Sequence, residues 1–124
     1  MNVYEYRKLL TKNKYHAKRI NVDGTVYDSK KEAKRASVLE QQEKYGIIKN
    51  LQKQVVFELQ PGYTNNQGKK IRPITYKADF VYEREGQKIV EDIKGSKLTL
   101  TEAYKIKKKI FMYKYPEYIF LEII

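Results

Sequence analysis

The chain has no cysteine, a single histidine and no long hydrophobic run. Without cysteine there is no disulfide framework, no zinc–thiolate site and no thiol nucleophile. One histidine excludes a multi-histidine metal centre. A metal here would be held by oxygen, which favours Mg2+, with Mn2+ able to substitute. No apolar stretch approaches the roughly 20 residues that span a bilayer. The N-terminus, MNVYEYRKLLTKNKYHAKR, is charged throughout and has no apolar segment of the kind a signal peptide needs. The expectation is a cytoplasmic protein with no membrane partner.

Positive charge is what the chain has in excess. Lys and Arg number 26 against 15 Asp and Glu, a formal net charge of +11. Such an imbalance points to a polyanion, most often nucleic acid. A lysine-rich codon bias would enrich glutamate as well, so it explains the lysines better than the imbalance. The 124 residues suffice for one domain with its own core.

Residues 1–13 read as a basic N-terminal arm and 14–124 as a single domain. Asp23-Gly24 between two β-prone runs predicts a hairpin. Ser29 followed by Glu32 forms a capping-box pattern, and Gly46 is a stop, so a helix is expected over about 30–45. Glu32, Ala36 and Leu39 share its inward face. Strands are expected at about 53–60, 72–82 and 88–95, with a polar loop at 65–68 and a turn over 83–86. A second helix is expected over about 101–115, its buried stripe marked by Ala103, Ile106 and Ile110. A last apolar strand covers 118–124. A strand that follows a helical crossover implies one parallel pairing beside the antiparallel hairpin. The result is an α/β domain with an α-β-β-β-α-β core preceded by a β-hairpin.

The chemistry concentrates in two of these strands. In the first, period-two alternation puts Tyr76, Ala78, Phe80 and Tyr82 on one side and Lys77 and Asp79 on the other. In the next, Asp92 and Lys94 share a face and Glu91 looks away. If Tyr82 pairs with Gln87, Asp79 is diagonal to Asp92, roughly 7–8 Å away. Two acids and a lysine then converge, an arrangement suited to phosphodiester hydrolysis. Asp79 and Asp92 would hold a hard cation, with the Ile93 carbonyl as a further ligand. Lys94 would hold water or offset charge building on the phosphate. An Asp-x-Lys triplet alone is most often a solvated ion pair. Its place on a strand, after an antiparallel strand carrying Asp-Phe and before Gly95, is what raises its standing.

The strings Tyr76-Lys77-Ala78-Asp79-Phe80 and Val90-Glu91-Asp92-Ile93-Lys94-Gly95 resemble the signature of PD-(D/E)XK nucleases. The expected element order is similar to that superfamily's restriction endonuclease-like core. Lys14-Tyr15, Asp23-Gly24, Asp28 to Ala33 and Gln54 to Phe57 extend the resemblance to small phage proteins of uncertain function placed in that superfamily. The chain also looks like the endonuclease subunit of some transposases. Ala78 stands where the nominal motif has proline, and Asp92 stands where glutamate is also common.

The resemblance implies that Asp79, Asp92 and Lys94 are catalytic. It matches Glu32 to a helix acid that completes the metal shell, and Gln54 to a strand glutamine that orients water or phosphate. It implies a DNA endonuclease acting on branched or non-specific DNA, resolvase-like and of phage origin, working in the host bacterial cytoplasm. Two symmetric cuts need two sites, so a homodimer is the expected form. Two other readings stay open: a nucleic-acid-binding protein without catalysis, and a nuclease subunit active only within a larger recombination or packaging complex.

DNA contact is expected from the Tyr15, His16, Lys18 and Arg19 cluster and from Lys105, Lys108 and Lys109. Lysine and arginine supply sequence-independent affinity for phosphate. Replacing two phosphate-contacting lysines should weaken binding to all sequences alike. It should also flatten the slope of log K against log salt by about 0.9 per lost contact. Filter binding across a salt series checks this, and an unchanged slope would move the DNA track elsewhere.

Overall fold

The computed structural model describes residues 19–22 and 24–124. The expected arm, 1–13, and Tyr15, His16 and Lys18 lie outside the described residues. Two compact units divide the chain, 1–41 and 42–124.

In the first unit, β1 (Ile20–Val22) and β2 (Thr25–Tyr27) pair antiparallel and close on Val22↔Thr25. Gly24 takes φ +85, a left-handed conformation open to glycine, and its N–H donates to Asn21 Oδ1 at 3.1 Å. Helix α1 (Lys30–Lys44) starts here and crosses into the second unit. Ser29 Oγ accepts from Glu32 N at 3.1 Å, and Glu32 Oε2 accepts from Asp28 N at 3.2 Å. This is a capping box whose return bond falls one residue early. Glu32, Ala36 and Leu39 are buried, the face that the spacing predicts. Gly46 (φ +76) ends the helix. Its N–H donates to Glu43 O and that of Ile47 to Gln42 O, the paired bonds of a Schellman motif.

The second unit is built on a four-stranded mixed sheet. Its members are β3 (Lys49–Gln60), β6 (Ile74–Arg84), β7 (Gln87–Ile93) and β8 (Tyr118–Ile123), in the order β3-β6-β7-β8. The polar loop expected at 65–68 is the tip of a small ribbon, β4 (Tyr63–Thr64) with β5 (Lys70–Ile71). Asn65 Oδ1 pins that tip by accepting from Gln67 N and Lys69 N, both at 2.9 Å. After β7 a 3-10 turn, Lys97–Thr99, leads to α2 (Glu102–Lys114), capped by Thr101 Oγ1, which accepts from Tyr104 N. The crossover through α2 sets β8 parallel to β7, while the other pairings in the sheet are antiparallel. The described residues are thus mixed α/β, with a mixed sheet and two helices.

Two expectations are corrected by the packing. Ala103 and Ile106 on α2 are exposed and Ile110 is only partly buried, whereas Tyr104 and Phe111 are buried. Aromatic rings have more area to hide than the branched aliphatics and turn the helix by about one position. Phe111 is 0% exposed and meets Phe57 edge-to-face at 4.9 Å, with Tyr115, Tyr118 and Phe120 around it.

Strand β6 also departs from simple alternation. Tyr76 and Ala78 belong to the same buried cluster as Val81 and Val90, three residues further on. Phe80 pairs with Glu91 on the other face, where the Tyr82 hydroxyl donates to the Glu91 carboxylate. The strand therefore changes face at Asp79-Phe80. Directly opposite, between the pairs Lys53↔Phe80 and Val55↔Ala78, Gln54 has φ +54. Both strands flip at one level, and Gln54 carries the backbone strain.

Phe111→Ala should cost about 3–5 kcal/mol, the range for emptying a buried aromatic site. Ile106→Ala, on the exposed side of the same helix, should stay within about 0.5 kcal/mol. Urea denaturation of the two variants separates this packing from the stripe read off the sequence.

Candidate functional site

The turn between β6 and β7 positions the acids. Arg84 pairs with Gln87, so the connection is the two-residue turn Glu85-Gly86, with φ +51 and +77. Positive φ at both positions marks a type I′ turn, whose twist suits a hairpin. The pairing of Tyr82 with Gln87 is thereby corrected: Tyr82 pairs with Ile89. Val90 pairs with Val81, so Asp79 is not opposite Val90 as the supposed register required; the ladder ends at Phe80↔Glu91, one residue before Asp79. The Asp79 carboxylate reaches β7, where its Oδ2 accepts from Ile93 N at 2.7 Å.

Asp92 is 4% exposed and held on both oxygens. Tyr76 OH donates to Oδ2 at 2.5 Å, and Lys94 Nζ lies 3.1 Å from Oδ1. A buried carboxylate needs such partners to offset lost hydration. Burial pushes the Tyr76 hydroxyl far above the usual phenol range, and the charge of Asp92 and its hydrogen bond add to this. Tyr76 is thus a fixed donor. Lys94 has a second neighbour, the Tyr104 ring, with the ammonium 3.8 Å from its centroid.

The parallel register adds another acid. Asp92 pairs with Glu122. Glu122 Oε2 accepts from Tyr104 OH at 2.6 Å and from Lys108 Nζ at 3.2 Å. Gln54 and Asp79 lie together between the pairs Lys53↔Phe80 and Val55↔Ala78, and Asp92 is level with Glu122. The Tyr104 hydrogen bond, followed by Lys108 and Lys94, holds the Glu122 carboxyl below the usual carboxylate range against an opposing effect of burial. The Tyr104 hydroxyl is raised, first by burial and then by its bond to Glu122.

Asp79, Asp92, Ile93 and Lys94 come together, and Gln54 lies beside Asp79 on β3. Glu32 is buried in the first unit. Arg19 is exposed, 3.9 Å from Asp28. Lys105 pairs with Glu102 at 3.3 Å and Lys109 is exposed, while Lys108 is turned to Glu122. Among the described residues no group of three or more His, Cys, Asp or Glu side chains could hold a metal ion. Asp79, bonded to Ile93 N, and the neighbouring Asp92 nevertheless match the donor set of Mg2+, which usually binds one or two carboxylates and completes its shell with water and substrate phosphate. No helix among the described residues is long and apolar enough to cross a membrane.

Residues 12–123 match the family described as "Protein of unknown function (DUF1064)". The chain belongs to that family. No curated protein and no solved structure matches it.

Three functional candidates of this DUF1064 chain escaped the sequence. Alternation puts Tyr76 on the side away from Asp79, Tyr104 lies outside the expected stripe of its helix, and Glu122 stands in a strand read as apolar. An acid within YIFLEII was the available signal, but only the parallel register brings it to Asp92.

Because its carboxyl is held low, Glu122 stabilises the fold above the ordinary glutamate range. That contribution is lost as pH falls through its depressed value. Glu122→Gln should therefore flatten the acid side of the stability–pH profile, measured by thermal melts from neutral to acid pH.

Proposed function

We propose that the chain is a metal-dependent DNA endonuclease of the PD-(D/E)XK type, with the restriction endonuclease-like arrangement of that superfamily. The observation that carries this reading is the Asp79 carboxylate of β6 accepting from Ile93 N–H of β7, next to Asp92, with Lys94 Nζ 3.1 Å from Asp92 Oδ1. Asp79 and Asp92 hold Mg2+ or Mn2+, and the Ile93 carbonyl adds a main-chain donor. The bound cation supplies Lewis acidity toward the phosphate and makes water a stronger nucleophile. Tyr76 fixes the orientation of Asp92. Lys94 places a positive charge where the phosphate gains negative charge. Gln54, beside Asp79, orients water or phosphate.

The net charge of +11 supports DNA as the partner. We favour branched or non-specific DNA, a resolvase-like homodimer, phage origin and action in the host cytoplasm.

A second reading is favoured by one feature. Tyr76 and Lys94 already satisfy both oxygens of Asp92, as in a purely structural network. A nucleic-acid-binding protein without catalysis, or a subunit that cuts only within a larger complex, would be built this way too.

A cleavage panel of duplex, flap, single-stranded and four-way-junction DNA with Mg2+ or Mn2+ separates these readings. The parent chain should cut at least one form, with Mn2+ at least as effective as Mg2+. Asp79→Ala, Asp92→Ala and Lys94→Ala should each abolish cleavage while leaving the chain folded and able to bind DNA, because each acts on the transition state more than on binding. No cutting of any form, or Asp79 and Asp92 variants as fast as the parent, would leave the binding reading in its place.

A further inference from the structure

We propose that Tyr104 is the positioning residue for Lys94: its ring face carries the ammonium, so that Lys94 stays at the site when a divalent cation takes its place on Asp92. The proposal rests on the nuclease reading and adds a residue which that reading does not use.

Two contacts of Lys94 Nζ differ in kind, Asp92 Oδ1 at 3.1 Å and the Tyr104 ring centroid at 3.8 Å. The other oxygen of Asp92 accepts from Tyr76 OH. A cation arriving at Asp92 therefore competes with Lys94 for Oδ1. An ammonium displaced from this buried carboxylate keeps its place, on a flexible four-carbon stem, only if another group holds it. The ring quadrupole does so, and its attraction is strongest where water is excluded. Tyr104 is 9% exposed and belongs to the aromatic core cluster.

The ring is itself anchored at three points. Its backbone N–H donates to the Thr101 cap, its hydroxyl donates to Glu122 Oε2 at 2.6 Å, and Lys108 holds the same Glu122 oxygen at 3.2 Å. Since Glu122 is in register with Asp92, the anchor is referenced to the strand that carries Lys94. The hydroxyl is committed to Glu122 and kept protonated by burial. That leaves the ring face as the part of Tyr104 that serves the site.

The test follows the Lys94 ε-methylene protons by NMR in the full chain, alone and with MgCl2. A ring face shifts protons above it upfield. The Lys94 signal should lie upfield of exposed lysines without Mg2+ and remain there at saturation. Tyr104→Phe should keep the shift and Tyr104→Leu should lose it. Lys94→Met should bind Mg2+ several-fold more tightly than the parent, whereas Lys107→Met should not, because Lys94 is the lysine paired with Asp92 among the described residues. In cleavage, Tyr104→Leu should lower kcat by about 10- to 100-fold, the scale of a misplaced reacting group. Its KM should hold within about twofold, and Tyr104→Phe should recover most of the rate.

The proposal is overturned if the Lys94 protons sit at the exposed-lysine position in the parent, or move there as Mg2+ binds. These measurements use the unaltered chain, so they decide the matter even if Tyr104→Leu fails to fold. If the parent cuts no DNA, the nuclease reading falls with the kinetic part of the proposal, while the shift still decides whether Tyr104 seats Lys94.

Discussion

Glu85-Gly86 is a two-residue turn, and the level at which the charged side chains meet depends on it. With Arg84 paired to Gln87 and Phe80 to Glu91, Asp79 reaches the Asp92–Ile93 end of β7. A slip of one residue would put Asp92 on the other face, beside Tyr82 and Glu91, because side-chain direction has period two. The hairpin twist favours a turn with positive φ at both positions, and Glu85 accepts that cost at φ +51.

From that pairing the site extends outward on both sides. Toward β8, the parallel register brings Glu122 level with Asp92 and draws Tyr104 and Lys108 of α2 into the network. Toward β3, Gln54 stands level with Asp79 in a left-handed conformation. The face change at Asp79-Phe80 lets one strand serve both sides of the sheet: Tyr76 and Ala78 beneath α2, Phe80 and Tyr82 on the opposite face. Strain of this kind persists only where surrounding structure over-determines it. Here the aromatic core around Phe111 and the buried pair Tyr82 and Glu91 supply that constraint.

The site is internally neutralised. Each acid at its centre has a donor: Ile93 N–H for Asp79, Tyr76 and Lys94 for Asp92, Tyr104 and Lys108 for Glu122. Buried carboxylates close together repel one another unless positive charge or hydrogen-bond donors intervene. The same partners that make the metal-free fold tolerable must rearrange if a cation enters, and this gives the second contact of Lys94 its meaning.

The sequence alone determined the local features. Ser29 and Gly46 bounded α1, Asp23-Gly24 marked the first hairpin, and the spacing of Asp92 and Lys94 put both on one strand face. These depend on neighbours within a few residues, where capping, turn chemistry and alternation act. Only the tertiary structure decided the rest. The register of β6 on β7 differed from the supposed one because a two-residue and a four-residue turn are both compatible with Glu83 to Gly86. The buried face of α2 was set by which rings fit against Phe57 and Tyr76, a contest between distant segments that no helical spacing records. Glu122 lies 30 positions beyond Asp92 in the chain, and a crossover helix separates them, so their meeting is a property of strand order. Side-chain direction is a local consequence of backbone geometry, but the level at which strands meet depends on packing across the whole sheet.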